Sequence, residues 1–490
     1  MQDEEYKAFL KKKGVLATPI GKDIDPSLIS PVLFPFQKDV VLWALRKGRC
    51  AMFLDTGLGK TVAQVEWARL MGEVTLIIAP LSVARQTVRI AKEKLDIDVK
   101  YIRHGDEMDS RQRLYITNYE MIEHFDASQF GAVVLDESSI LKGLASVTRK
   151  TLIKMFKETP YKLCCTATPA PNDEPEIGNH AEFLGVATMK QMLGMFFVNA
   201  NKVKESFVGD GRVVTTKQSG KKGQEWRLKN HAREAFYKWL SSWSISIRKP
   251  SDLGYDDNGF VLPPLNIQPI FVDVDYVPEG QLFFTKLHGI QDRSAIRKNT
   301  MDKRVKRAAE LVNNSDEQWL LWAGLVSEGD ELKAAIPGAA QVKGSDDYEY
   351  KIKTIEAFQD GKEKTLISKA RITGFGMNFQ NAHNMIFVGL GDSWEMYYQC
   401  IRREYRFGQK KPVNVYVILS EIEREIWENV MRKEAMAKRM TDELISRIKQ
   451  YELEELQNTA DKEEKDRPDK EMNVPVWLYQ NVEKGEIVNG

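Results

Sequence analysis

Short apolar runs, each followed by a longer stretch with apolar positions at helical spacing, organise most of this chain. The runs at 73–79, 113–118, 131–136 and 161–165 predict strands buried on both faces, and their alternation with helices predicts a parallel α/β domain over 31–184. The rhythm breaks over 185–262, expected to be a small, mainly helical insertion. Thr215 to Gly223 is polar and lysine-rich there, and Trp226, Trp239 and Trp243 mark an amphipathic helical stretch with a small core of its own. Asp256-Asp257-Asn258-Gly259 and Pro263-Pro264 close the segment as loop and linker. Apolar runs near 317–323, 364–368, 384–390 and 413–419 then predict a second α/β domain over 263–450, with Trp319 and Trp322 in its core. A charged amphipathic helix is expected over 421–457, and 459–474, within the tail 451–490, has the composition of a solvated or disordered segment. Residues 1–30 read as a charged N-terminal extension.

Composition narrows the class. At 490 residues the chain exceeds the span of one hydrophobic core, and 42% hydrophobic with 29% charged residues describes an ordinary globular protein. A net charge of +1 creates no global basic field, so any nucleic-acid contact must come from local patches. Cys50, Cys164, Cys165 and Cys400 form no CxxC pair, which suits a reducing compartment and argues against structural zinc. Cys164-Cys165 lies in an apolar run and reads as core strand. No membrane-length apolar run exists, and the acidic start Met1-Gln2-Asp3-Glu4-Glu5 is unlike a signal peptide, so a soluble cytoplasmic protein is expected.

The chemistry begins at Thr56-Gly57-Leu58-Gly59-Lys60-Thr61. Glycines let backbone N–H groups close on phosphates, Lys60 reaches the β/γ oxygens of ATP, and the Thr61 hydroxyl ligates Mg²⁺. Leu54 stands where the strict pattern has its first glycine. Ala132-Val133-Val134-Leu135-Asp136-Glu137 supplies the second half, a buried strand presenting two acids. Asp136 can hold the metal through its water shell, and Glu137 can polarise the attacking water. The second domain has no phosphate cradle. It carries Gln399-Cys400-Ile401-Arg402-Arg403-Glu404-Tyr405-Arg406-Phe407-Gly408-Gln409, with Arg403 and Arg406 on one helical face; delivered across a cleft, they can neutralise charge on the γ-phosphate. Alone, such a cluster reads more readily as a solvated basic helix.

In order, these segments resemble the motifs of superfamily 2 helicase-type ATPases, and in detail those of the Snf2 family of duplex DNA translocases. Phe36-Gln37 with Trp43 resembles the adenine-reading segment, and Thr56 to Thr61 resembles motif I. Ala79-Pro80-Leu81-Ser82 is similar to motif Ia, without the family's usual tryptophan, and Thr117-Asn118-Tyr119-Glu120 to the next DNA-facing motif. Asp136-Glu137-Ser138-Ser139 resembles motif II and Thr166-Ala167-Thr168-Pro169 motif III. In the second half, Gly344-Ser345 and the helix ending near Phe358 resemble the family's lead-in. Gly374-Phe375-Gly376-Met377-Asn378-Phe379 resembles motif V, although Arg371-Ile372-Thr373 replaces the usual Ala-Gly-Gly, and Gln399 to Gln409 resembles motif VI.

The resemblance covers roughly 31–450 and implies two RecA-like lobes with ATP and Mg²⁺ between them. It implies nucleotide contacts from Gln37, Thr56, Gly57, Leu58, Gly59, Lys60, Thr61 and Gln399, and metal contacts from Thr61 and Asp136. Lys60, Glu137, Arg403 and Arg406 would be catalytic, and Thr166 and Thr168 would couple the γ-phosphate to DNA. Ser82, Arg85, Tyr119, Lys369, Arg371 and Gly374 would touch DNA, mainly at phosphates. The basic run Arg212, Lys217, Lys221 and Lys222 reads at least as readily as a solvated loop as it does as a DNA contact. The implied activity is a DNA-stimulated ATPase that moves along duplex DNA, in a compact phage-type or bacterial-type member. A strand-separating DNA or RNA helicase of superfamily 2 and a non-hydrolysing ATP-bound DNA clamp remain open, as do protein partners and pathway.

Overall fold

The computed structural model describes residues 16–142, 146–170, 174–199, 204–207, 213–216, 226–273, 297–374, 377–391 and 393–460. The basic residues Arg212, Lys217, Lys221 and Lys222, motif V residues Phe375 and Gly376, and the expected solvated segment beyond 460 lie outside the described residues.

Two large, wholly parallel sheets dominate. The first contains β1 (Arg49–Leu54), β2 (Thr75–Ala79), β3 (Lys100–Tyr101), β4 (Leu114–Asn118), β5 (Ala132–Asp136), β6 (Tyr161–Cys165) and β7 (Ser244–Ile247), in the spatial order β7-β1-β6-β5-β2-β4-β3. The second contains β8 (Leu265–Val272), β9 (Trp319–Ala323), β10 (Ala340–Val342), β11 (Thr365–Ser368), β12 (Asn384–Val388) and β13 (Val413–Ser420), ordered β8-β13-β12-β9-β11-β10. These are the two α/β lobes expected from the alternation. Successive side chains on a strand point to opposite faces. Phe53, Ile78, Leu135 and Cys164 accordingly enter one core, while Met52, Ile77, Val134 and Cys165 enter another on the reverse side. Both faces are covered by helices, which is why these strands read as continuous apolar runs. In the second sheet, Leu320 and Trp322 take one face, and Trp319 and Leu321 the other.

The segment 185–262 differs from the expected insertion. Its chain runs through helices Met189–Phe196 and Arg233–Ser241 and then supplies β7, which pairs parallel to β1 with Ala51 opposite Ser244. Trp239 and Trp243 are fully buried in the first lobe's own core, and Trp226 packs on its edge. The first sheet therefore closes beyond residue 184. Strand β8 is a half-exposed edge, and this position tolerates Pro269 within it, because a proline can face solvent where no ladder donor is needed.

After β13 the chain forms a 37-residue helix, Arg424–Ala460, which crosses back to the first lobe. Glu443 pairs with Arg233, Asp442 pairs with Arg248, and Lys449 Nζ donates to the Ser251 carbonyl at 3.1 Å. Among the described residues, no helix is long and apolar enough to cross a membrane.

Candidate active site

In a parallel sheet the loops at the carboxyl ends of adjacent strands lie side by side. Because β1, β6 and β5 are neighbours, the turn after β1, the Thr166–Thr168 segment after β6 and the acids ending β5 converge. The turn after β1 runs into helix Lys60–Met71, with Gly57 at φ 95° and Gly59 at φ 78°. At Gly57 the fixed backbone of a neighbouring segment adds a second reason for glycine, whereas Gly59 meets only the mobile end of a side chain. A Cβ on Gly57 would lie 2.8 Å from the Phe407 amide nitrogen, and one on Gly59 2.2 Å from Gln37 Nε2. Thr56, Leu58 and Thr61 complete the turn and first helical residues, with Leu58 buried.

Lys60 Nζ donates to the carbonyls of Leu54 at 2.8 Å and Asp55 at 3.3 Å. Burial lowers its pKa, against the opposing pull of Glu137, Asp55 and Asp136. An anionic phosphate would relieve that burial penalty and take over the donors. Gln37 braces the same turn: its Oε1 accepts from the Phe34 amide at 2.9 Å, and its Nε2 donates to the Leu58 carbonyl at 2.9 Å. A primary amide has two N–H groups and two acceptor lone pairs, so capacity for a base edge remains.

Asp136 is 3% exposed; Oδ2 accepts from Gln64 Nε2 at 2.8 Å and Oδ1 from the Glu137 amide at 3.0 Å. Burial, with the neighbouring Glu137 charge, pushes its carboxyl up to about 6. Glu137 sits in the left-handed region at φ 54°, a strained position for a non-glycine residue, and its Oε2 is buried without a hydrogen-bond partner. An unpaired buried carboxylate oxygen beside a carboxyl raised by its neighbour fits a site that takes a divalent cation and a water. Thr61 and Asp136 would hold Mg²⁺ there.

Behind the acids, Tyr119 is buried and its hydroxyl donates to the Asp136 carbonyl at 2.8 Å. This placement differs from the expected DNA contact, because the ring is enclosed and its polar tip is spent on β5. Thr166 Oγ1 accepts from the Thr168 amide at 3.1 Å, and the buried Thr168 hydroxyl has no partner. Ser138 Oγ lies 3.1 Å from His180 Nε2, a link the sequence did not suggest. Burial holds His180 down at about 3, so the ring is neutral.

The second lobe brings helix Trp394–Ile401 and the turn after it against this cluster. Arg403 donates to Gln399 from Nε and Nη2, both at 2.8 Å, and to the Met377 carbonyl from Nη1 at 3.1 Å. Burial lowers its pKa while Glu137, in the other lobe, opposes that shift. Arg406 also reaches the Met377 carbonyl, at 3.4 Å, and burial together with Arg403 and Arg402 brings it down to about 10. The buried Gln399 Nε2 has no partner. Phe407, whose backbone lies against Gly57, packs on Phe260 at 4.7 Å and faces Phe34 at 6.2 Å, so three aromatic rings from separate segments meet there.

The other expected DNA residues lie at strand ends. Ser82 is in the first turn of helix Leu81–Leu95, and the Arg85 guanidinium stands 5.7 Å from the centre of the Tyr101 ring. Lys369 precedes the short helix Ala370–Thr373 and, with Arg371, lines a cavity of about 390 Å³ in the second lobe. Gly374 closes that helix; a Cβ there would sit 2.1 Å from the Ala370 carbonyl oxygen. The sequence also missed Asp55, Tyr398 and Arg402. Tyr398 donates to Asp55 Oδ1 at 2.7 Å, and Arg402 pairs with Asp55 Oδ2. Only their positions next to motifs I and VI could have hinted at it.

Residues 36–201 match the family model described as the SNF2-related domain. The DNA annealing helicase and endonuclease ZRANB3 of Mus musculus is 27% identical over 179 residues, which is 33% of this chain and 17% of that protein. The SWI/SNF-related matrix-associated actin-dependent regulator of chromatin subfamily A-like protein 1 of Xenopus laevis is 28% identical over 170 residues, 31% of this chain and 17% of that protein. The bifunctional helicase and thymine dioxygenase JBP2 of Trypanosoma cruzi is 32% identical over 162 residues, 31% of this chain and 14% of that protein. The aligned part thus spans less than a fifth of each of these relatives. Residues 36–201, in the first lobe, thus carry the SNF2-related domain, in line with the Snf2-family resemblance of the motifs in the same stretch.

Proposed function

We propose that this chain is a motor that hydrolyses ATP with Mg²⁺ to move along duplex DNA. The observation that carries the reading is the electrostatic facing of Glu137 in one lobe and Arg403 in the other, around an acid pair with an unpaired oxygen. Lys60 would hold the β/γ-phosphates, Thr61 and, through water, Asp136 would hold Mg²⁺, which supplies charge neutralisation at the phosphates, and Glu137 would orient the attacking water. Arg403 and Arg406 neutralise charge as the γ-phosphoryl group leaves. Hydrolysis removes the ligand that draws the lobes together, and alternating closure becomes movement. Thr166 and Thr168, joined to each other beside the acids, couple that chemistry to the track. Ser82, Arg85, Lys369, Arg371 and the Gly374 backbone grip phosphates, a mode of contact that holds the duplex without reading its sequence. The relatives' names, which speak of helicases and DNA annealing, support a DNA track.

The test is ATPase activity with no nucleic acid, single-stranded DNA, duplex DNA and RNA. Duplex DNA should stimulate most, largely independently of sequence and less as salt is added. Equal stimulation by single strands, together with unwinding of a tailed duplex, would replace this reading by a strand-separating helicase. Binding of ATP without turnover on any nucleic acid would leave a clamp.

A further inference from the structure

We propose that Asp55, Tyr398 and Arg402 form an inter-lobe latch that makes the phosphate cradle competent only when the cleft is closed. The inference rests on the ATPase reading and deepens it by adding positioning residues to the site. Asp55 is the last residue before Thr56, and its carboxylate is shared out completely. Oδ1 accepts from the Thr56 amide at 2.6 Å and from the Tyr398 hydroxyl at 2.7 Å, while Oδ2 accepts from Arg402 Nη2. Arg402 is fixed on every side. Its Nε donates to the Tyr398 hydroxyl at 3.0 Å and Nη1 to the Tyr405 carbonyl at 3.4 Å. Its guanidinium carbon lies 5.1 Å from the Tyr398 ring centre and 5.4 Å from that of Tyr405. The side chains of Arg402 and Asp55 are only 11% and 17% exposed, so water competes weakly for this pair.

The latch touches the chemistry from both directions. On the first lobe, the residue it grips also offers the carbonyl that holds Lys60, and it shapes the start of the glycine turn through the Thr56 amide. On the second lobe, Arg402 immediately precedes Arg403, so anchoring it fixes the turn that carries Arg403 and Arg406 toward Glu137. Opening the cleft parts Asp55 from Tyr398 and Arg402, and both halves lose their orientation together. Three adjacent-looking arginines thus divide their labour: Arg402 spends its charge on the protein, while Arg403 and Arg406 remain for the nucleotide.

The test is a double-mutant cycle of Asp55→Asn and Arg402→Gln, with Tyr398→Phe removing one hydroxyl only. Each of the first two changes should lower kcat at least about tenfold, leave the Kd for mant-ATP with Mg²⁺ within about threefold, and be no worse in combination. Tyr398→Phe should show a smaller loss of the same kind. Closure is read separately, by energy transfer between dyes on cysteines replacing the exposed Lys157 and Lys362, and each variant should shift it toward the open state. Wild-type kcat and closure in both single variants, or losses that multiply in the double variant, overturn the latch. A wild-type protein without ATPase activity overturns the functional reading instead, while the dye measurement still decides whether the latch holds the lobes.

Discussion

Arg403 and Glu137 belong to different lobes, yet the glutamate acts on the arginine across the cleft: it opposes the loss of charge that burial imposes there. In the proposed mechanism both groups act at one γ-phosphate, so an isolated first lobe should bind ATP without turning it over.

Glu137→Gln keeps the size and removes the charge. ATP binding should persist, while turnover falls by about two to four powers of ten, the usual scale for a positioned general base. Single-turnover hydrolysis separates the two effects; near wild-type turnover would remove Glu137 from the role.

Arg403→Ala and Arg406→Ala should each lower kcat by about two or more powers of ten, by comparison with arginines supplied across other phosphoryl-transfer sites. Lysine should rescue poorly at 403. That side chain uses three guanidinium nitrogens at once, on Gln399 and Met377, a fork that an ammonium cannot reproduce. Steady-state kinetics of the three variants checks both statements.

Asp136 gives the pH dependence. Its carboxyl is raised in the folded protein to about 6 from the ordinary value near 3.8, so the folded state holds the proton more tightly than the unfolded chain. Between these values, ionisation favours unfolding as pH rises, and this contribution to stability levels off above pH 6. For catalysis the sign reverses, because Mg²⁺ needs the carboxylate. The kcat/KM for MgATP should fall below about pH 6 in free enzyme, with the limb moving to lower pH as Mg²⁺ is raised. A pH profile at two Mg²⁺ concentrations is the check.

Strand β7 makes a prediction about boundaries. A fragment ending at 184 lacks both β7 and the buried indoles of Trp239 and Trp243, and should not give a cooperative melt. One ending near 262 should. In the full chain, Trp243→Ala should destabilise the first lobe by about 3–5 kcal/mol, the cost of emptying a core indole site. Thermal unfolding followed by circular dichroism measures all three.

Most strands were legible because parallel strands covered on both faces must be apolar throughout, as at Ala132–Asp136 and Trp319–Ala323. Ser244–Ile247 was not, since Ser244 and Ser246 interrupt the apolar signal although both are buried. The candidate nucleotide residues stand in order along the sequence because phosphate chemistry constrains neighbours along the chain. Arg402 and Asp55 could not, because their pairing exists only once two lobes have docked. Tyr119 stood in a motif read as DNA-facing, and no local pattern announces that its hydroxyl turns inward to a backbone carbonyl.

The helix Arg424–Ala460 has a mechanical meaning. The covalent linker near residue 262 joins the lobes once, and this helix, seated on Arg233, Arg248 and Ser251, joins them a second time. A body pinned at two points turns about the line through them. In the proposed mechanism the second lobe is then a door on two hinges, whose swing would carry Arg403 along a single arc toward and away from Glu137.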